Sequence, residues 1–267
     1  MFGAKLVDKH VVEWQFDYYE WLIDNFSSDA GLPDSDLWLP IPEHFGAENA
    51  QYKPEGAELA RFTFDRIKEQ CGFGPDTIIE LIATDESKPQ TLGGVATIQT
   101  NESGACGRYF LSESMYGTKR EKITYDRDLE KDPTGLIATF AHELSHALHN
   151  RSKENLDIDP DLYELFTDLT AVYLGYGVFL SNTRFEFSGF SDGNLQGWRA
   201  QGAGYLPEAD LVFATAIFMK IKNIPIETAL GHLKPRLGKM LKKGFKQLSK
   251  FESDIAALRD RQPPATP

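Results

Sequence analysis

DPTGLIATFAHELSHALHN, residues 132–150, is the stretch on which the reading of this chain turns. Asp132-Pro133 opens it as a helix start. An aspartate suits the N-cap, and proline at the first helical position gives up an N–H that would be unpaired there anyway. Ile137, Leu144 and Leu148 give the helix an apolar back face. His142 and His146 stand four apart, about 1.1 turns, so both imidazoles leave one face, one above the other. That spacing lets two neutral imidazole nitrogens reach one Zn²⁺ at about 2.0–2.1 Å. Glu143 lies about 100° round the helix. It is too displaced to be an easy ligand but is placed to lean over a metal-bound water, the arrangement written HExxH.

A catalytic zinc usually takes three protein ligands and keeps a fourth position open. A continuation of the motif with a glycine and a third histidine is absent, since position 149 is His and position 152 is Ser. His149 reads as a surface group, with a supporting role behind a ligand or a place as third ligand as the alternatives. The next stretch, DPDLYELFTDLTAVYLGYG at residues 159–177, opens with a second Asp-Pro pair and predicts a second helix. It offers Glu164 and Asp168, four apart on one face, as candidates for the third ligand. The 17 residues between His146 and Glu164 are enough to finish one helix, turn and return.

His142-Glu143-x-x-His146 followed by Glu164-x-x-x-Asp168 on a second helix resembles the gluzincin branch of the zinc metallopeptidases. The resemblance covers about 30 residues strongly and about 80 with the preceding sheet. It implies that His142, His146 and Glu164 bind zinc. It also implies that Glu143 is the general base and that Asp168 orients a ligand histidine from behind. The implied activity is hydrolysis of a peptide or protein substrate. Such chemistry needs a donor where negative charge develops. The candidates are Tyr205, in the glycine-flanked run Gly202-Ala203-Gly204-Tyr205, then Arg199 and His232. The alternative is a non-catalytic metal-binding or interaction protein on a zincin-like fold. Glu143 weighs against it, because a purely structural zinc site has no use for a base.

Working outward, Thr77 to Ile82, Gly94 to Gln99, Arg108 to Leu111 and Lys122 to Tyr125 read as strands of a small twisted sheet. Upstream, Val11 to Phe26 carries Trp14, Tyr18, Trp21 and Leu22 at helical spacing and predicts a core-packed helix. A further helix is expected from Glu55 to Gln70, ending near Gly72. Downstream, Ser181 to Gly204 reads as a long loop. Helices are expected from Pro207-Glu208 through Met219 and over most of Ile226 to Leu258. The basic run Lys234 to Lys250 reads as a solvated helix face, and His10 and His44 as structural residues. The expected fold is α+β and zincin-like, a small sheet before the metal helix and a mostly helical C-terminal half. It is read as one domain in three parts, residues 1–72, 73–177 and 178–267.

The 28 basic and 40 acidic residues give a net charge of −12. Phosphates would be repelled by the average surface, so nucleic acid and anionic membranes are not expected partners. No apolar run is long enough to span a bilayer, and the first residues lack the blocks of a signal peptide. Cys71 and Cys106 form neither a CxxC pair nor a disulfide framework. A cytoplasmic location is the expectation.

Overall fold

The computed structural model describes residues 5–26, 35–45, 54–85, 107–113, 119–152, 159, 162–187 and 205–261. In chain order the elements begin with α1 (Lys9–Phe26), α2 (Gly56–Gln70), β1 (Ile79–Thr84), β2 (Gly107–Glu113), β3 (Lys119–Asp126) and α3 (Pro133–His149). They continue with α4 (Tyr163–Ala171), α5 (Gly177–Phe187), α6 (Glu208–Ile221), α7 (Glu227–Leu230), α8 (Pro235–Leu248) and α9 (Glu252–Asp260). The class is α+β, mostly helical, with a small mixed sheet ahead of α3. Among the described residues the sheet has three strands in the order β1-β3-β2, and the expected strand at residues 94–99 lies outside them. β1 runs parallel to β3, with Ile79 opposite Glu121. β2 runs antiparallel to it, with Tyr109 opposite Ile123.

The helix starts differ from expectation in detail. Asp132 occupies the N-cap position of α3, and its carbonyl accepts from Leu136 N at 2.9 Å, but its side chain caps nothing. It lies instead against Gly135, where a Cβ would overlap it. α4 begins at Tyr163, later than Asp159-Pro160 suggested, because Leu162 N first closes a turn onto the Asp159 carbonyl at 2.8 Å. The expected loop from Ser181 is helical through Phe187. Two of its polar side chains find carbonyl partners there, while the buried Ser181 hydroxyl has none among the described residues. Thr183 Oγ1 donates to the Phe179 carbonyl at 3.0 Å, and Asn182 Nδ2 donates to the His232 carbonyl at 2.8 Å.

The core is contiguous from Val7 to Leu258. α3 lies inside it, since every residue from Gly135 to His149 is buried. Phe140 meets the rings of Phe64 on α2 and Tyr125 on β3 edge-on, and Tyr18 of α1 meets Phe166 of α4 with centroids 4.5 Å apart. Between α4 and α5 the chain kinks at Gly175, whose φ of 99° is left-handed backbone. A Cβ there would overlap the Asp36 carbonyl. The kink exposes two carbonyls that are satisfied from outside. Leu174 O accepts from Gln70 Nε2 at 2.7 Å, and Gly175 O accepts from Trp38 N at 3.0 Å. On α8, Leu237, Leu241, Gly244 and Leu248 are buried while Lys239, Lys242, Lys243 and Lys246 face solvent, so the basic run is the solvated face of an amphipathic helix. Among the described residues no helix is long and apolar enough to cross a membrane.

Candidate metal centre

One turn of α3 and the first turns of α4 bring His142, His146 and Glu164 together. His142 Nε2 lies 3.0 Å from Glu164 Oε2 and 3.2 Å from His146 Nε2, and His146 Nε2 lies 3.4 Å from the same carboxylate oxygen. Ligands of a tetrahedral zinc at 2.0–2.1 Å stand about 3.3 Å apart, so the three edges suit one small cation. These residues form a His-His-Glu group positioned to bind a metal ion.

Hydrogen bonding fixes which nitrogens face inward. His142 Nδ1 donates to Asp168 Oδ1 at 2.9 Å, which leaves Nε2 as the lone-pair nitrogen of the neutral ring. His146 Nδ1 lies 3.4 Å from Thr167 Oγ1, whose hydroxyl donates to the Tyr163 carbonyl at 3.0 Å. The His146 ring stacks on Tyr163 at 5.5 Å and on Tyr109 at 6.4 Å. Tyr109 is itself held, its hydroxyl donating to Glu121 Oε1 at 2.6 Å while Arg151 grips the same carboxylate.

Electron-rich atoms so close need positive charge between them. Burial pulls the His142 pKa down, but hydrogen bonds and charge from Asp168 and Glu164 outweigh it and hold the pKa well above the usual histidine value. Burial pushes Glu164 up, yet His142 and His146 together hold it well below the usual carboxylate range. A metal ion held between these groups would supply the positive charge that their closeness calls for.

Glu143 is buried beside this group and outside the triangle. Burial raises its pKa, the neighbouring His142 and His146 oppose that, and it accepts a hydrogen bond from the Tyr109 backbone amide. That amide belongs to β2, an edge strand among the described residues, which approaches α3 closely at Gly107. A Cβ on Gly107 would overlap Thr139 Cγ2 and stand 3.1 Å from Glu143 Oε1.

Tyr205 is brought to the same place. Its ring centroid is 5.5 Å from that of His142, and the next residue is anchored there, Leu206 N donating to Asp168 Oδ2 at 2.9 Å. His232 lies in the turn between α7 and α8, where its carbonyl accepts from Asn182, and it is not part of the His-His-Glu group. Arg199 is outside the described residues. His149 is not the surface group its position suggested. It is 6% exposed, with Nε2 at 2.7 Å from Thr170 Oγ1 and 2.9 Å from the Tyr18 hydroxyl. Burial, reinforced by His146 and His142, lowers its pKa to about 3 and keeps it neutral. His44 stacks on Trp38 at 4.8 Å and bonds the Leu39 backbone, a structural role. Cys71 is buried, and Cys106 is outside the described residues.

Sequence reasoning missed Thr167, Tyr109 and Gly107. Thr167 sits three residues after Glu164 and so faces α3 with it, a signal that was readable. Tyr109 and Gly107 reach the site only through the docking of β2 on α3. The chain matches no family model, no curated protein and no solved structure.

Proposed function

We propose that this chain is a zinc-dependent hydrolase of the gluzincin type on a zincin-like fold, cleaving a peptide bond in a peptide or protein substrate. The observation that carries the reading is the triangle of ligand atoms from His142, His146 and Glu164 with the buried Glu143 carboxylate beside it. Two imidazole nitrogens and one carboxylate oxygen suit zinc, and three protein ligands leave a fourth position for chemistry. Bound there, zinc would supply Lewis acidity towards a carbonyl oxygen and lower the pKa of a water to about 7. Asp168 keeps His142 in the tautomer whose Nε2 faces the ion. Glu143 takes the proton of the attacking water at its carboxylate and passes it to the leaving amine, and burial makes it a better acceptor near neutral pH.

The expected metal content is about one zinc per chain in protein purified without added metal. Elemental analysis and zinc titration at neutral pH check it. A chain with neither metal nor uptake is not a zinc protein. A loaded chain that cleaves no peptide library is the non-catalytic binder instead.

Tyr205 is proposed as the hydroxyl that donates to the carbonyl oxygen as negative charge develops there. Tyr205→Phe is expected to leave fold and zinc content intact and to lower kcat by about 10²–10³, with little change in KM. Steady-state kinetics beside His232→Ala check this. An unchanged rate for Tyr205→Phe removes the tyrosine from the role, and a collapse for His232→Ala transfers it.

A further inference from the structure

Arg184 sits in the last turn of α5. Its guanidinium carbon lies 4.6 Å over the Tyr205 ring, on the same ring that stands 5.5 Å from His142. Laid end to end, those separations keep the guanidinium within about 10 Å of the metal-facing imidazole. The backbone that carries it is fixed. Asn182, two residues earlier, is clamped by the His232 carbonyl and by Lys234 N at 3.1 Å, and Thr183 is buried.

Arg184 is half-buried, and among the described residues no carboxylate pairs with it. Several other arginines are held by carboxylates, while Arg259 donates to the Ile221 and Lys220 carbonyls instead. Arg127 holds Asp85, Arg151 holds Glu121, Arg236 holds Glu208 and Arg261 holds Asp24. A guanidinium presents five N–H donors in a planar fork that matches a carboxylate, and contact with an aromatic ring orients it without using those donors. The carboxylates of Glu143 and Glu164 stand at the metal centre and repel an anionic substrate group unless a cation opposes them.

We propose that Arg184 receives a carboxylate of the substrate, lying within about three residues of the scissile bond at the 3.3–3.6 Å reach of each extended residue. The carboxylate is supplied either by the chain terminus or by an acidic side chain. This inference rests on the zinc-hydrolase reading and adds a substrate class to it.

The test uses calorimetric titration of the zinc-loaded full chain with three hydroxamate probes built on a succinyl residue. One carries leucine with a free terminal carboxylate, one leucine amide, and one glutamic acid amide with its side chain free. The expected result is that at least one carboxylate probe binds about 10- to 100-fold more tightly than the neutral leucine amide. The probe with the advantage identifies the source of the carboxylate. Arg184→Gln removes that advantage, and Arg184→Lys, which keeps charge but not the fork, restores part of it. Circular dichroism and zinc content verify that both variants fold. Equal binding of all three probes to the unaltered protein, or an advantage that survives Arg184→Gln, overturns the role of Arg184 while leaving the hydrolase reading intact. Failure of the loaded protein to bind any hydroxamate overturns both.

Discussion

Glu143→Gln is expected to keep the metal and to lose turnover by about 10²–10⁴, the usual contribution of a positioned general base. Glutamine has nearly the shape of glutamate, so its amide can still take the hydrogen bond from the Tyr109 backbone amide and fill the space beside Gly107. It cannot take a proton from water. Glu143 also stands outside the triangle of ligand atoms, so removing its charge takes no ligand from the ion. Zinc content measured beside the hydrolysis rate separates the two roles. Loss of metal makes Glu143 a ligand, and a normal rate makes the base some other group.

Glu164→Ala has the second large expected effect, on the ion itself. A zinc site is worth about 10–16 kcal/mol, so removing one of three protein ligands should weaken binding by at least about 10²–10³-fold. The two imidazoles would remain 3.2 Å apart with no carboxylate to close the triangle. Asp168→Asn should cost less, about 10–100-fold, because Asp168 touches His142 from behind and not the ion. Competition with a metal chelator of known affinity gives both values. A larger loss at Asp168 than at Glu164 reverses the assignment.

The legible parts of the fold and site were those governed by periodicity. His142 and His146 share a face because four residues make about one turn, and the same rule places Glu164 and Asp168 on α4. The α1 stripe and the α8 basic face followed from the same arithmetic. What was not legible depends on neighbours distant in sequence. His149 read as a surface group, whereas α3 is enclosed and Tyr18 and Thr170 both bond its Nε2 inside the core. The run Ser181-Asn182-Thr183 read as loop because its residues favour turns. Its bonds to the Phe179 and His232 carbonyls reverse that preference. Arg184 could be recognised as notable only after Tyr205 was seen beneath it.

Asp168 has both carboxylate oxygens engaged, one by the His142 ring and the other by the Leu206 amide. The proposed seat of the ion and the stretch that presents Tyr205 therefore share one anchor, so that binding at one would be coupled to binding at the other. Whatever steadies residues 205–206 also steadies His142 in its metal-facing orientation. By reciprocity, a substrate that engages Tyr205 would raise the affinity for the ion by the same factor as the ion raises the affinity for that substrate. On the proposed hydrolase reading, loss of metal and loss of substrate would then not be independent events.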